Sequence, residues 1–158
     1  MKKSVVLIWV LVSILFIMSS SFTIYGLYLN FREPAKPELL VQSVSVSYTE
    51  NGGGSIGNPI YSNSSITFSS SLLNPGSSVT YKVTFSNDSN KDIILTDFEK
   101  STPESSDINF ELVGVTKGNI ISKNSTFDML VKISYDSESK GNTKINTNLT
   151  VKVDYEEK

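Results

Sequence analysis

Val79, Tyr81, Val83 and Phe85 alternate with Thr80, Lys82, Thr84 and Ser86. A period of two is that of a strand with one face on a core and one on water. Just before it, Asn74-Pro75-Gly76 reads as a turn, because Pro presets φ and Gly accepts a positive φ. The same design recurs. Residues 40–49 put Leu40, Val44, Val46 and Tyr48 on one face, against Ser43, Ser45, Ser47 and Thr49. Phe127, Met129, Val131, Ile133 and Tyr135 oppose Asp128, Lys132 and Ser134. Ile145, Thr147, Leu149, Val151, Val153 and Tyr155 oppose Asn146, Asn148, Thr150, Lys152 and Asp154. Weaker patterns predict strands at 66–72, 93–98 and 108–112, and Ile120 and Ile121 form a short apolar pair. The glycines of residues 50–55 read as a mobile turn, and Pro59 limits residues 56–63 to a short edge strand. About seven strands with turn residues between them predict one antiparallel β-sandwich of immunoglobulin-like type over residues 39–158.

The pattern changes at the start of the chain. Met1-Lys2-Lys3 is cationic, and an apolar run then begins at Val5 and ends at Leu29, interrupted mainly by Ser13 and Ser19-Ser20-Ser21. At 1.5 Å per residue this run reaches about 37 Å, enough for a tilted crossing of a ~30 Å hydrocarbon core. Residues 1–29 are therefore expected to form a transmembrane signal-anchor helix, with the lysines inside and the rest outside. The serine hydroxyls can bond back to helix carbonyls. The competing expectation is a secretory signal cleaved at Ser19-x-Ser21, which releases the chain from Phe22 onward. Residues 30–38 carry Pro34 and Pro37 and read as a stiff stalk.

Composition narrows the chemistry. The 158 residues contain no Cys and no His, which excludes disulfides, thiolate chemistry and the commonest general base. With Lys2 and Lys3 set aside, 12 Lys+Arg stand against 16 Asp+Glu, interspersed and without a basic stripe. Nucleic acid is not an expected partner.

The segment L-N-P-G-S-S-V-T-Y-K-V-T-F-S-N at residues 73–87 is similar to the L-x-P-G-x-x-V-x-Y-x-V-x-V-x-N opening strand of immunoglobulin-like domains in bacterial cell-surface and exported proteins. The camelysin-like biofilm-fibre subunits carry a related turn and strand. S-T-F-D-M-L-V-K-I-S-Y at residues 125–135 resembles a later strand of the same modules. The resemblance implies a spacer, adhesin or fibre subunit.

Asp88-x-Asn90-x-Asp92, with Glu99 at the twelfth position, matches the ligand spacing of a calcium loop, but Ile93 stands where that loop needs Gly. A polar hairpin turn is the expectation there, with no metal and no cofactor. A Lys–Asn isopeptide bond would need a buried lysine, and Lys82, Lys132 and Lys152 fall on polar phases. N-x-S/T occurs at Asn63, Asn87, Asn124 and Asn148. Asp97 and Glu99 can share a strand face, and Tyr61 is the one candidate for a glycan platform. No motif of a catalytic serine is present. The expectation is a non-catalytic, membrane-anchored surface protein with a structural or interaction role. Its partners are the lipid bilayer, through the run from Val5 to Leu29, and an envelope protein or a second copy. The alternatives are a secreted matrix subunit and a carbohydrate- or ligand-binding module.

Overall fold

The computed structural model describes residues 3–31, 38–141 and 143–158, with helix side chains described for residues 11–25. The chain divides into two compact units, residues 1–35 and 36–158. The first holds one helix, α1 (Lys3–Phe31). Its polar interruptions are absorbed internally: the hydroxyls of Ser20, Ser21 and Thr23 donate to the carbonyls of Phe16, Ile17 and Ser19 at 2.8, 2.9 and 3.0 Å. Among the described residues no helix is long and apolar enough to cross a membrane. The two ends of the expected span lie outside the described side chains. So does almost all of the expected stalk, Pro34 and Pro37 included.

The second unit is all β. Its strands are β1 (Leu39–Glu50), β2 (Gly53–Ser55), β3 (Ile60–Ser62), β4 (Ser65–Leu72), β5 (Ser78–Asn87), β6 (Ile93–Lys100), β7 (Ile108–Val113), β8 (Ile120–Ile121), β9 (Ser125–Tyr135) and β10 (Ile145–Glu157). One sheet runs β1-β5-β9-β7. The other runs β2-β4-β10-β6-β8, with β3 also on β4. All the pairings are antiparallel.

From β4 onward every connection crosses from one sheet to the other, and no strand pairs with its successor in the chain. The pairs β4·β10, β5·β9 and β6·β8 are nested like a long hairpin folded over on itself, with β7 at its tip. That nesting is of jelly-roll type. It departs from the immunoglobulin-like expectation, in which several successive strands pair within a sheet. Alternation identifies strands but carries no information about which strand pairs with which.

The core follows the predicted phases in β5, β9 and β10. Val79, Tyr81, Val83 and Phe85 are buried from one sheet, and Leu149, Val151 and Val153 from the other. Phe68 and Tyr81 meet across the two sheets with ring centroids 4.7 Å apart. The Tyr81 hydroxyl lies 2.9 Å from Ser70 Oγ and donates to the Ser69 carbonyl at 3.1 Å. This satisfies a buried phenol and joins β5 to β4.

The predicted turn is present. The Ser77 N–H donates to the Asn74 carbonyl at 2.9 Å, and Gly76 has φ 82°. Ser77, fully buried, locks the turn: its hydroxyl donates to the Asn51 carbonyl at 2.7 Å and accepts from the Asn74 N–H at 2.9 Å.

Two expectations need correction. Register shifts between Val41 and Ser43 and between Val46 and Tyr48 break β1 into three phases, so its apolar residues do not share one face. Each extra residue in a bulge flips the side chains beyond it. The glycine-rich segment is also not simply a loop, because Gly53–Ser55 pairs with β4 as β2. A Cβ on Gly53 would stand 1.9 Å from the Ser78 carbonyl oxygen, so only glycine fits this close approach.

Asn87, also fully buried, ties the end of β5 to its surroundings. Its amide donates to the carbonyls of Lys91, Ile121 and Ser122 at 2.9, 3.1 and 3.2 Å. Replacing Asn87 with Ala strands the buried Ile121 carbonyl and removes two part-buried bonds, and should cost about 2–3 kcal/mol. Tyr81→Phe leaves the Ser70 hydroxyl without a partner and should cost about 1–2 kcal/mol. Chemical denaturation of the full chain measures both, and the order Asn87→Ala above Tyr81→Phe is expected.

Candidate functional site

One side of the sandwich, between β6 and β7, is open among the described residues. β8 covers only Ile93 and Ile94 of β6, and the Gly118 and Asn119 backbone extends that cover to Leu95. Beyond Leu95 the outer edge of β6 has no strand beside it among the described residues. β7, at the edge of the other sheet, pairs with β9 alone. At the β6–β7 crossover lies a cavity of about 270 Å³ lined by Lys100, Ser101, Pro103, Ile108 and Phe110, among others.

Lys100 is placed there by a bulge. The β10·β6 register skips Thr96, passing from Leu95 opposite Tyr155 to Asp97 opposite Asp154. Phe98 and Lys100 thereby take the inward phase, Lys100 opposite the buried Val151. Residues opposite one another in an antiparallel pair project to the same face. The Lys100 ammonium reaches the other sheet, donating to the Phe110 carbonyl at 3.3 Å and lying 5.8 Å from the Phe110 ring centroid. Among the described residues it has no carboxylate partner, whereas Lys82 and Lys91 each have one and Lys152 has two. Sequence reasoning missed this lysine, because an unbroken alternation from Ile93 and Leu95 would have put Asp97 and Glu99 inward instead.

The residues singled out in the sequence do not come together as a site. Asp88, Asn90 and Asp92 sit in or beside the β5–β6 turn, with Asp88 and Asn90 exposed. Asp92 Oδ1 accepts the Lys123 N–H at 3.0 Å. Glu99 is carried far along β6, since a strand advances roughly 3.3 Å per residue, and there it pairs with Lys152 at 3.3 Å. Among the described residues no group of three acidic side chains is arranged to hold a metal ion. Asp97 and Glu99 are both exposed, on the outer face.

Lys82 pairs with Asp128 at 2.8 Å, and Lys152 pairs with Asp154 at 2.9 Å as well as with Glu99, all at the surface. None of these lysines is buried against an asparagine as an isopeptide bond requires. Of the N-x-S/T asparagines, Asn63, Asn124 and Asn148 are exposed and Asn87 is buried. Tyr61 is exposed beside Ile60 on β3. The Asp128 carboxyl is held below the usual carboxylate range by hydrogen bonds from Lys82 and Thr84.

Comparison of the chain with protein families, curated proteins and solved structures returns no match.

This arrangement sets two expected outcomes. The melting temperature should be the same in millimolar calcium and in excess chelator; a rise in calcium would reinstate the turn at Asp88 as a ligand set. A carboxyl with a lowered folded-state pKa contributes stability above its unfolded value and loses it as pH falls through the folded one. Asp128→Asn should therefore slightly lower stability at neutral pH and leave stability below the carboxylate range unchanged. The effect is small because both partners are about half exposed. Denaturation midpoints measured across acid pH give the comparison.

Proposed function

We propose that the chain is an exported, membrane-tethered, non-catalytic β-sandwich that serves at the outer face of the cytoplasmic membrane as a structural or protein-interaction component. The observation that carries this reading is the apolar surface of α1. Leu11, Val12, Ile14, Leu15, Phe16, Ile17 and Met18 are all half exposed or more. At 3.6 residues per turn, such consecutive positions cover the whole circumference. A helix that is apolar all round needs an apolar environment on every side, and a bilayer supplies one. In the sequence the uncharged run extends on both sides of the described side chains, back to Val5 and on to Leu29. Lys2 and Lys3 before it favour retention of the N-terminus inside and export of the sandwich.

The sandwich supports the non-catalytic part of the reading by what its polar groups do. Buried hydroxyls and a buried amide serve the fold: Ser70 and Tyr81 bond each other, Ser77 locks a turn and Asn87 ties a crossover. The resemblance of residues 73–87 to bacterial surface modules points the same way, and it rests on motif rather than on strand order.

Intact mass and cell fractionation of the natively expressed protein test the reading. A full-length mass in the membrane fraction, resistant to high salt and extracted by detergent, is expected. A mass beginning near Phe22, found in the medium, would overturn the tether and make the chain a secreted subunit.

A further inference from the structure

We propose that the open side between β6 and β7 receives an acidic, extended segment of a partner protein, which adds as a strand to β7 and places a carboxylate at Lys100. The inference rests on the reading of the sandwich as a protein-interaction component and deepens it, and it stands whether or not the helix is retained.

Three independent observations meet at this place. The first is topological. The nested series β4·β10, β5·β9, β6·β8 closes on β7, which stands at the tip with no counterpart of its own. Residues 114–119 turn directly from β7 to β8 and add no strand beside it. Among the described residues, β7 thus keeps one edge whose N–H and C=O groups have no strand partner. Such an edge accepts an extended peptide by main-chain hydrogen bonds.

The second is the apolar lining. Phe98, Phe110, Leu112 and Val115 pack against the core but are only partly buried. The cavity between Ile108, Phe110 and Pro103 has a volume of about 270 Å³, the scale of one or two side chains. A strand laid along β7 would send alternate side chains toward the sandwich interior.

The third is charge. Lys100 is an exposed cation on an inward register position, at the mouth of this cavity, with no carboxylate in ion-pair contact among the described residues. Its present contacts are a long bond to a carbonyl and the face of a ring. A carboxylate brought to that position gains a charge-assisted hydrogen bond. Charge complementarity therefore selects an acidic segment over a neutral one.

The other sheet edges are less open to a partner. β2 and β3 are short, and β1 is bent by two register shifts, with its Val41 N–H already bonded to the Asn63 carbonyl at 3.0 Å. β7 shows no register shift against β9.

The test uses the full chain in detergent micelles and two short synthetic peptides of alternating valine and threonine. One ends in glutamate with a free terminal carboxyl; the other is its glutamine, amide-capped counterpart. Binding is followed by amide shifts in isotope-labelled protein and by fluorescence titration. The acidic peptide should bind, move the amide signals of β7, and weaken as salt is raised. Lys100→Gln should weaken it about threefold to tenfold, the range of a partly exposed ion pair. Lys100→Arg should restore most of the affinity. Lys140→Gln, in the β9–β10 loop, should leave it unchanged. Circular dichroism confirms that each variant is folded. Equal binding of both peptides, shifts confined to another edge, or no binding at all would overturn the proposal. So would concentration-dependent self-association that moves the β7 signals without peptide, since the occupant would then be a second copy. Membrane fractionation is indifferent to every one of these results, so failure here is distinguishable from failure of the tether.

Discussion

β5 leaves the Asn74-Pro75-Gly76 turn with its direction and its register already determined. The turn is locked by Ser77, whose hydroxyl holds the Asn51 carbonyl and the Asn74 N–H together. The Gly76 N–H and the Ser77 carbonyl then bond to the Tyr135 backbone. From that start β5 pairs with β1 on one side and β9 on the other, and Tyr81 in its middle reaches across to β4. Moving β5 by one residue would turn Val79, Tyr81, Val83 and Phe85 out of the core together. The rest of the sandwich inherits this seating. β9 sets β7, and the buried Asn87 at the far end of β5 sets the crossover to β6 and the position of β8. Because β5 and β9 are far apart in sequence, the contact is expensive in loop entropy and rewarding only once both sheets form. The two sheets are therefore expected to assemble together.

Much of this is legible in the sequence, for one physical reason. A strand with one wet face must alternate, and β5, β9 and β10 do so along most of their length. The turn residues between strands mark their ends. What alternation does not carry is partnership. The immunoglobulin-like expectation keeps several successive strands in one sheet, while the chain crosses between sheets at each connection after β4. Nor does alternation survive a bulge. The skipped Thr96 reverses the phase of β6, so Phe98 and the exposed Lys100 take the register positions where Asp97 and Glu99 would be due. The skips in β1 likewise put Leu40 and Tyr48 on the face opposite to that of Val44 and Val46. Ser77 and Asn87 have the look of polar surface residues, because a serine or asparagine declares its burial only through partners distant in the chain.

The candidate site is hidden by the same two gaps. A calcium loop can be sought in a sequence because its ligands are local, and Asp88, Asn90 and Asp92 do lie close together. Glu99 leaves them because Ile93–Lys100 has a stronger claim to a strand: Ile93 and Leu95 are fully buried there. Burying two branched side chains outweighs the loosely held set of exposed carboxylates that a loop would need. The place where Lys100, Ile108 and Phe110 meet has no local signature. It exists only where the ends of two strands from different sheets are brought to one side of the molecule.

The edges of the sandwich decide what that side can do. Sheet edges invite unwanted pairing, and the usual protections are shortness, bulges and charge. Here β1 is long and carries two register shifts, β2 and β3 are short, and β8 has two residues. β7 is regular, and its one charge, Glu111, lies opposite Lys132. That places Glu111 on the outer face of the sheet and not toward the cavity. An acidic group at the cavity would repel an acidic visitor; Lys100 does the opposite. The protections thus fall on the edges away from the cavity, and the regular edge stands beside a cation with room in front of it. Lys100 is the one charged residue lining that cavity, and at that position it favours a carboxylate over a cation.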